Sequence, residues 1–229
     1  MATNPKRFAA EAALKLVRSG MKLGLGTGST ATFFIEALGQ ALQRGELRDI
    51  IAIPTSVGSE LLAKQYHIPL TDFGHIDSLD LTVDGADEVD PNCDVIKGLG
   101  GALLREKVVA QNSKRLVIIA DASKRVSQLG TKSPLPVEVV PFANDAHERF
   151  LRTLGCEPVI RRTSGGMVFV TDNGNHILDC RFKQIDDPAG LDRALQGRAG
   201  IVEHGLFIGV PERAIIARDD GTLEEVVRK

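Results

Sequence analysis

MKLGLGTGSTATFFIEALGQAL, residues 21–42, falls into three parts. Residues 21–25 read as a short strand, Gly26-Thr27-Gly28-Ser29-Thr30 as a loop of glycines and hydroxyls, and Phe34, Ala37, Leu38, Ala41 and Leu42 recur at helical spacing. A strand that passes through such a loop into a helix is the unit from which parallel α/β sheets are built. It also leaves free N–H groups and the positive end of the helix dipole at the loop, where an anion is favoured. A phosphate is the natural guest, and an ordinary tight turn with a serine cap is the plain alternative. Two better-known phosphate readers do not fit. A Walker loop needs Gly-Lys-Ser/Thr, and a dinucleotide fingerprint begun at Gly24 and Gly26 needs glycine where Ser29 stands. The next strand, moreover, ends in Pro54-Thr55 without the ribose-binding acid, so ATPase is rejected and NAD binding weighs little.

Working outward, the alternation repeats: strands over 50–53, 79–83 and 116–120, and helices over 55–65 and 101–113. Ahead of them, Asn4 caps a helix that begins with Pro5 and carries Phe8, Ala12 and Leu16 up to Ser19-Gly20. The loops after four of the strands are GTGST, Pro54-Thr55-Ser56, Asp84-Gly85-Ala86-Asp87 and the segment from Asp121 to Lys124, and in a parallel sheet these converge on one crevice. From about Gly130 the rhythm changes. A strand over 137–140, a helix capped at Asn144 and running to 154, a strand over 158–162, a hairpin turning at Asp172-Asn173-Gly174, a helix over 189–196 and a strand over 201–208 give the order βαββαβ, a ferredoxin-like split pattern. Strands over 214–217 and 222–227 then return to the first sheet. The expected fold is α/β, a Rossmann-like parallel sheet with helices on both faces made by 1–131 and 208–229. An inserted ferredoxin-like α+β domain, 132–207, would serve as a lid and oligomerisation unit.

Composition sets limits on function. The 229 residues carry 28 basic and 30 acidic side chains, which gives no footprint for nucleic acid or an anionic membrane. Cys93, Cys156 and Cys180 are odd in number and far apart, so they suggest neither a disulfide framework nor a zinc site, and a reducing cytoplasm is expected. No apolar run has the length of a membrane span and no signal core opens the chain. His67, His75, His147, His176 and His204 show no metal spacing and lie outside the crevice loops.

A second stretch, DGADEVDPNCDVIKGLGGALLRE over 84–106, concentrates chemistry. Asp84 and Asp87 stop a strand at the crevice, with Gly85 allowing close approach of a ligand; a solvated turn is the competing reading. Lys97 with the N–H groups around Gly98, Gly100 and Gly101 can hold an oxyanion. Glu106 lies among Leu103, Leu104, Val108, Val109 and Ala110 on a helix that reads as buried on most sides. Its carboxyl should be desolvated and its pKa raised, as suits a group that moves protons; an exposed helical glutamate beside Arg105 and Lys107 is the competing reading. Glu88 and Asp90 read as surface charge. Lys124 and Lys6 could add charge to a phosphate or be plain surface lysines.

Together GTGSTATFFIEAL from Gly26, DGADEVD from Asp84, VIKGLGGALLREKVVA from Val95, ADASK from Ala120 and VEHGLFIG from Val202 make the chain resemble ribose-5-phosphate isomerase of type A. The resemblance spans essentially the whole length. It implies an aldose–ketose isomerase without cofactor or metal, a small phosphosugar as substrate, and a homodimer or homotetramer. It also implies roles. Glu106 is the general base between C1 and C2, Asp84 and Asp87 contact the sugar, and Lys97 with Gly98, Leu99 and Gly100 stabilises the enediolate. Thr27, Gly28, Ser29, Thr30 and Lys124 hold the phosphate, with Gly85 and Ala86 lining the substrate. Leu99 departs from the run of three glycines common in the family, so any left-handed backbone must fall on Gly98 or Gly100. The rivals are acyl-CoA transfer or amino-sugar phosphate chemistry on a related scaffold, and a non-catalytic phosphosugar sensor. GTGST with DGAD favours a small phosphosugar over CoA, and a sensor would need no base at Glu106.

Overall fold

A computed structural model describes residues 4–229; the first three residues of the expected 1–131 unit lie outside it. In chain order the elements are α1 (Pro5–Leu14), β1 (Lys22–Leu25), α2 (Ser29–Gln43), β2 (Ile51–Pro54), α3 (Val57–Gln65), β3 (Leu81–Gly85), β4 (Glu88–Val89), β5 (Val95–Ile96), α4 (Leu103–Gln111) and β6 (Leu116–Asp121). There follow β7 (Leu135–Val139), α5 (Asn144–Thr153), β8 (Glu157–Ile160), β9 (His176–Arg181), α6 (Pro188–Gln196), β10 (Ile201–His204), β11 (Leu206–Phe207), β12 (Arg213–Ala217) and β13 (Leu223–Val227).

Six strands form the first sheet in the order β13-β12-β6-β3-β1-β2, parallel except for β13, which returns antiparallel on β12. Ala9 and Ala13 of α1 and Phe34 and Leu38 of α2 pack on one face against Leu23, Leu25, Val83 and Ile119. The opposite face, with Ile118, Ala120 and Ile216, receives Ala110 of α4. Helices thus cover both faces, as the alternation required.

The second sheet is antiparallel throughout, in the order β10-β7-β9-β8, which is the 4-1-3-2 arrangement of the split βαβ pattern. It has its own core of Leu135, Val137, Val139, Leu178 and Leu195. The strand expected over 201–208 divides at Gly205. Its first part, β10, stays with β7, while β11 joins β5 and β4 in a three-stranded sheet. Gly205 is required at the break because a Cβ there would lie 2.1 Å from the carbonyl oxygen of Lys97. Gly205 accepts from Lys97 N–H at 2.9 Å and donates to Pro136 at 2.8 Å, so one residue ties the two sheets together.

Three sequence expectations need correction. Helix α1 ends at Leu14 rather than at Ser19, because Leu16 and Val17 N–H groups bond three residues back and tighten the chain into turns. The cap of α5 is Ala143, held left-handed at φ 59°, and not Asn144, whose side-chain amide is engaged with His176 at 3.0 Å. Glu88 and Asp90 are buried, not surface charge. The Glu88 carboxylate accepts the N–H groups of Gly130 (2.6 Å), Lys132 (2.7 Å) and Ser133 (2.5 Å), and Asp90 accepts those of Asn92 and Asp94 at 2.8 Å each. Backbone donors make both charges tolerable inside. Among the described residues no helix is long and apolar enough to cross a membrane.

Candidate active site

At the carboxyl ends of β1, β3 and β6 lies a cleft. It is lined by Thr27, Gly28, Ser29, Thr30, Gly85, Ala86, Asp87, Lys97, Gly98, Gly100, Glu106 and Lys124. Of the expected residues Asp84, Leu99, Gly101 and Lys6 are missing from its wall. Asp84 sits directly behind Lys97, and the Leu99 side chain, 40% exposed, points elsewhere.

The anion end is built by the start of α2. Gly28 at φ 101° precedes the helix and gives no side-chain cap, so its first-turn N–H groups remain available to a guest. Thr27 is locked from two directions. Its N–H donates to Asp84 Oδ1 at 2.9 Å, and its hydroxyl lies 2.7 Å from that of Thr55 and 2.8 Å from that of Ser56. Ser59 extends this hydroxyl chain to the Gly26 carbonyl at 2.6 Å. Ser59 was not among the residues expected to matter. Its signal was the Ser56-x-x-Ser59 spacing at the start of α3, where the Ser56 side chain caps the Ser59 N–H. Lys6, on α1, donates to Ser29 Oγ at 2.9 Å, and with Lys124 on the cleft wall it places two ammonium groups about the loop.

The acid–base end is a buried cluster. Lys97 Nζ lies 3.0 Å from Asp84 Oδ2, 3.1 Å from Glu106 Oε1 and 2.6 Å from the Gly85 carbonyl oxygen, and all three side chains are at most 5% exposed. Asp84 is well provided with donors, receiving Lys97, Thr27 N–H and Gly85 N–H. Glu106 has Lys97 alone, and its Oε2 is buried with no partner among the described residues. Burial therefore pushes Glu106 up to about 8, with Lys97 opposing and the Asp84 charge adding to the rise. Burial raises Asp84 as well, against Lys97 and the two N–H groups. For Lys97 burial works downward, but Asp84 and Glu106 outweigh it and hold the ammonium above its ordinary range. A charged lysine thus faces a carboxyl poised to exchange a proton near neutral pH.

Helix α4 is buried on most sides, as the sequence reading had it, but not through apolar side chains alone. Val108 is 42% exposed, whereas Lys107 is 4% exposed and donates to Glu203 and to the His204 carbonyl at 2.7 Å each. Glu106 is buried because it faces Lys97 in the cleft cluster.

The glycine loop closes the wall. Gly98 has φ 103° and Gly101 φ 84°, so the left-handed backbone falls on Gly98 as allowed and also on Gly101, not on Gly100. Leu99 N–H donates to Asp87 Oδ2 at 2.9 Å. None of the five histidines lines the cleft. His204 is fully buried and pushed down to about 3 by that burial, with Lys107 adding to the effect.

The model of the family described as ribose 5-phosphate isomerase A (phosphoriboisomerase A) matches residues 51–221. A ribose-5-phosphate isomerase A of Roseiflexus castenholzii is 51% identical over 96% of this chain and 94% of its own length. One from Desulfatibacillum aliphaticivorans is 50% identical over 96% and 95%. Among solved structures, a D-ribose-5-phosphate isomerase in complex with phospho-erythronic acid superposes with a TM-score of 0.96 at 38% identity, covering 100% of both chains. Ribose 5-phosphate isomerase A of Methanocaldococcus jannaschii gives 0.91 at 40% identity, covering 97% of both. With sequence, fold and the extent of both chains in agreement, the protein belongs to the ribose 5-phosphate isomerase A family.

Proposed function

We propose that the cleft interconverts D-ribose 5-phosphate and D-ribulose 5-phosphate through an enediolate, with Glu106 as the general base. The observation that carries this reading is the buried, unpartnered Glu106 Oε2 beside the Lys97 ammonium. The substrate phosphate is held by Thr27, Gly28, Ser29 and Thr30 with Lys124. Glu106 removes the C2 proton and the electron pair becomes the C1–C2 double bond, leaving the negative charge on O1. Lys97 and the N–H groups of Gly98 and Gly100 carry that charge. Glu106 then returns the proton to C1, while the hydroxyl proton passes from O2 to O1 by way of Asp87. Asp84 acts from behind, fixing Lys97 and keeping Glu106 basic. The chemistry needs no cofactor, because proton transfer and charge neutralisation both have a side chain to perform them.

The reading extends to the whole molecule: a cytoplasmic homodimer or homotetramer in the non-oxidative pentose phosphate pathway. Residues 1–131 and 208–229 carry the crevice, and 132–207 form a wall. Acyl-CoA transfer and phosphosugar sensing gain no observation of their own. The test is turnover of ribose 5-phosphate by chelator-treated, dialysed protein in deuterated water. Wild type should form ketose and incorporate deuterium at the exchanging carbon, and Glu106→Gln should lose both by at least about 10²-fold in kcat, the lower end for a positioned base. A Glu106→Gln enzyme with near-normal kcat and exchange would move the base to Asp87.

A further inference from the structure

Arg161, just beyond β8, reaches across from the second sheet to the glycine loop. Its side chain is 11% exposed and braced by Asp179 on β9, Nε to Oδ2 at 2.9 Å and Nη2 to Oδ1. The remaining nitrogen, Nη1, donates to the carbonyl oxygens of Gly98 and Leu99, each at 3.0 Å. Below the guanidinium, 5.7 Å away, lies the ring of Phe169, which packs directly on Gly101.

We propose that Arg161 is a positioning residue for the isomerisation, holding two consecutive peptide planes so that the Gly100 N–H faces the enediolate oxygen. The inference rests on the isomerase reading. A trans peptide directs its N–H opposite to its carbonyl, and no peptide among the described residues is cis. The plane whose carbonyl is that of Gly98 sends the Leu99 N–H to Asp87, on the cleft wall, which fixes the cleft side of the loop. The next plane has its Leu99 carbonyl on Arg161 and therefore turns the Gly100 N–H toward the same side. That N–H has no acceptor among the described residues, and Gly100 lines the cleft. Arg161 is the only tether of this second plane among the described residues. If it is released, the plane can rotate and bring a carbonyl, a repulsive dipole, to where negative charge develops. A cation on the carbonyl oxygens also polarises both peptides and strengthens the opposed donors. Orientation set before substrate arrives is the condition under which such donors accelerate a reaction.

The experiment compares Arg161→Gln and Arg161→Lys with wild type in kcat, KM, and inhibition by inorganic phosphate and by phospho-erythronic acid. Phosphate reads only the anion end, whereas the carboxylate of the sugar acid carries charge at the reacting end. For Arg161→Gln, kcat should fall roughly ten- to a hundredfold, less than the 10²–10³ for outright removal of an oxyanion donor. Inhibition by phospho-erythronic acid should weaken in parallel, with KM and phosphate inhibition within about twofold of wild type. Arg161→Lys should regain part of kcat, since an ammonium reaches a carbonyl but cannot pair two-pronged with Asp179. A wild-type kcat in Arg161→Gln would overturn the proposal. So would phosphate inhibition that weakens as much as sugar-acid inhibition in both variants, the mark of a collapsed wall. If wild type fails to turn over ribose 5-phosphate, the isomerase reading falls and this inference with it; if only the Arg161 pattern fails, that reading stands.

Discussion

Replacing Lys97 with methionine keeps the length of the stem and removes the charge from between Asp84 and Glu106. Three contacts are lost, at 3.0 Å, 3.1 Å and 2.6 Å, and two carboxyls are left in a site where the lysine they flank is 2% exposed. Removing one partner from a buried ion pair costs about 3–5 kcal/mol because the remaining charge is stranded. For a chain of this size that corresponds to a fall in Tm of roughly 6–20 °C. The penalty should depend on pH in a definite direction. Stranded carboxylates can escape by taking up protons, so the loss relative to wild type is greatest near pH 9 and shrinks toward pH 5. Lys97→Met combined with Glu106→Gln should recover part of the loss, since only one carboxyl then remains, and the non-additivity measures the coupling within the cluster. Activity should fall about 10²–10³-fold with the loss of the oxyanion partner. Scanning calorimetry of the four proteins from pH 5 to 9 is the assay. A Tm within about 2 °C of wild type at pH 8, or a loss that does not shrink on acidification, would refute the picture of an ionised buried cluster.

Two further outcomes follow from the same geometry. Because Glu106 is raised to about 8, the role of base proposed for it requires kcat/KM to decline as pH falls through that region; a profile flat from pH 6 to 9 would contradict it. The stability effect has the opposite sign. A carboxyl raised by burial favours the fold fully below its unfolded value and loses that contribution as pH rises through about 8, by at most about 1.4 kcal/mol per pH unit, so Glu106→Gln should flatten the dependence. At the anion end, Ser29→Ala and Thr30→Ala should raise KM about ten- to a hundredfold with kcat largely kept, the worth of a charged hydrogen bond. Unchanged KM and unchanged phosphate inhibition in both would reduce the loop to a turn.

The parallel sheet was legible because its signals are local: a strand, a loop of small polar residues and a helical stripe occur within residues 21–42, and the pattern repeats. The antiparallel sheet was legible from element order alone. Burial of charge was not. Glu88 read as surface because its donors are backbone N–H groups, the first of them 42 residues away, and backbone donors leave no mark in side-chain pattern. The burial of Lys107 leaves no local sign because its acceptors lie 96 and 97 residues on, at the end of β10. Asn144 has the right residue type for a cap, but its amide engages His176, 32 residues away, and the turn is made by Ala143 instead. At the site, the pattern indicated the desolvation of Glu106 on a helix buried on most sides, although Val108, one of the apolar residues it counted, is exposed.

The break at Gly205 bears on whether the molecule is modular. The strand that finishes the antiparallel sheet also supplies the neighbour of β5, and its Gly205 carbonyl receives the N–H of Lys97 itself. A hinge at that point would have to break hydrogen bonds on both sides of Gly205, so the attachment of the antiparallel sheet and the register that aims Lys97 are set by the same residue.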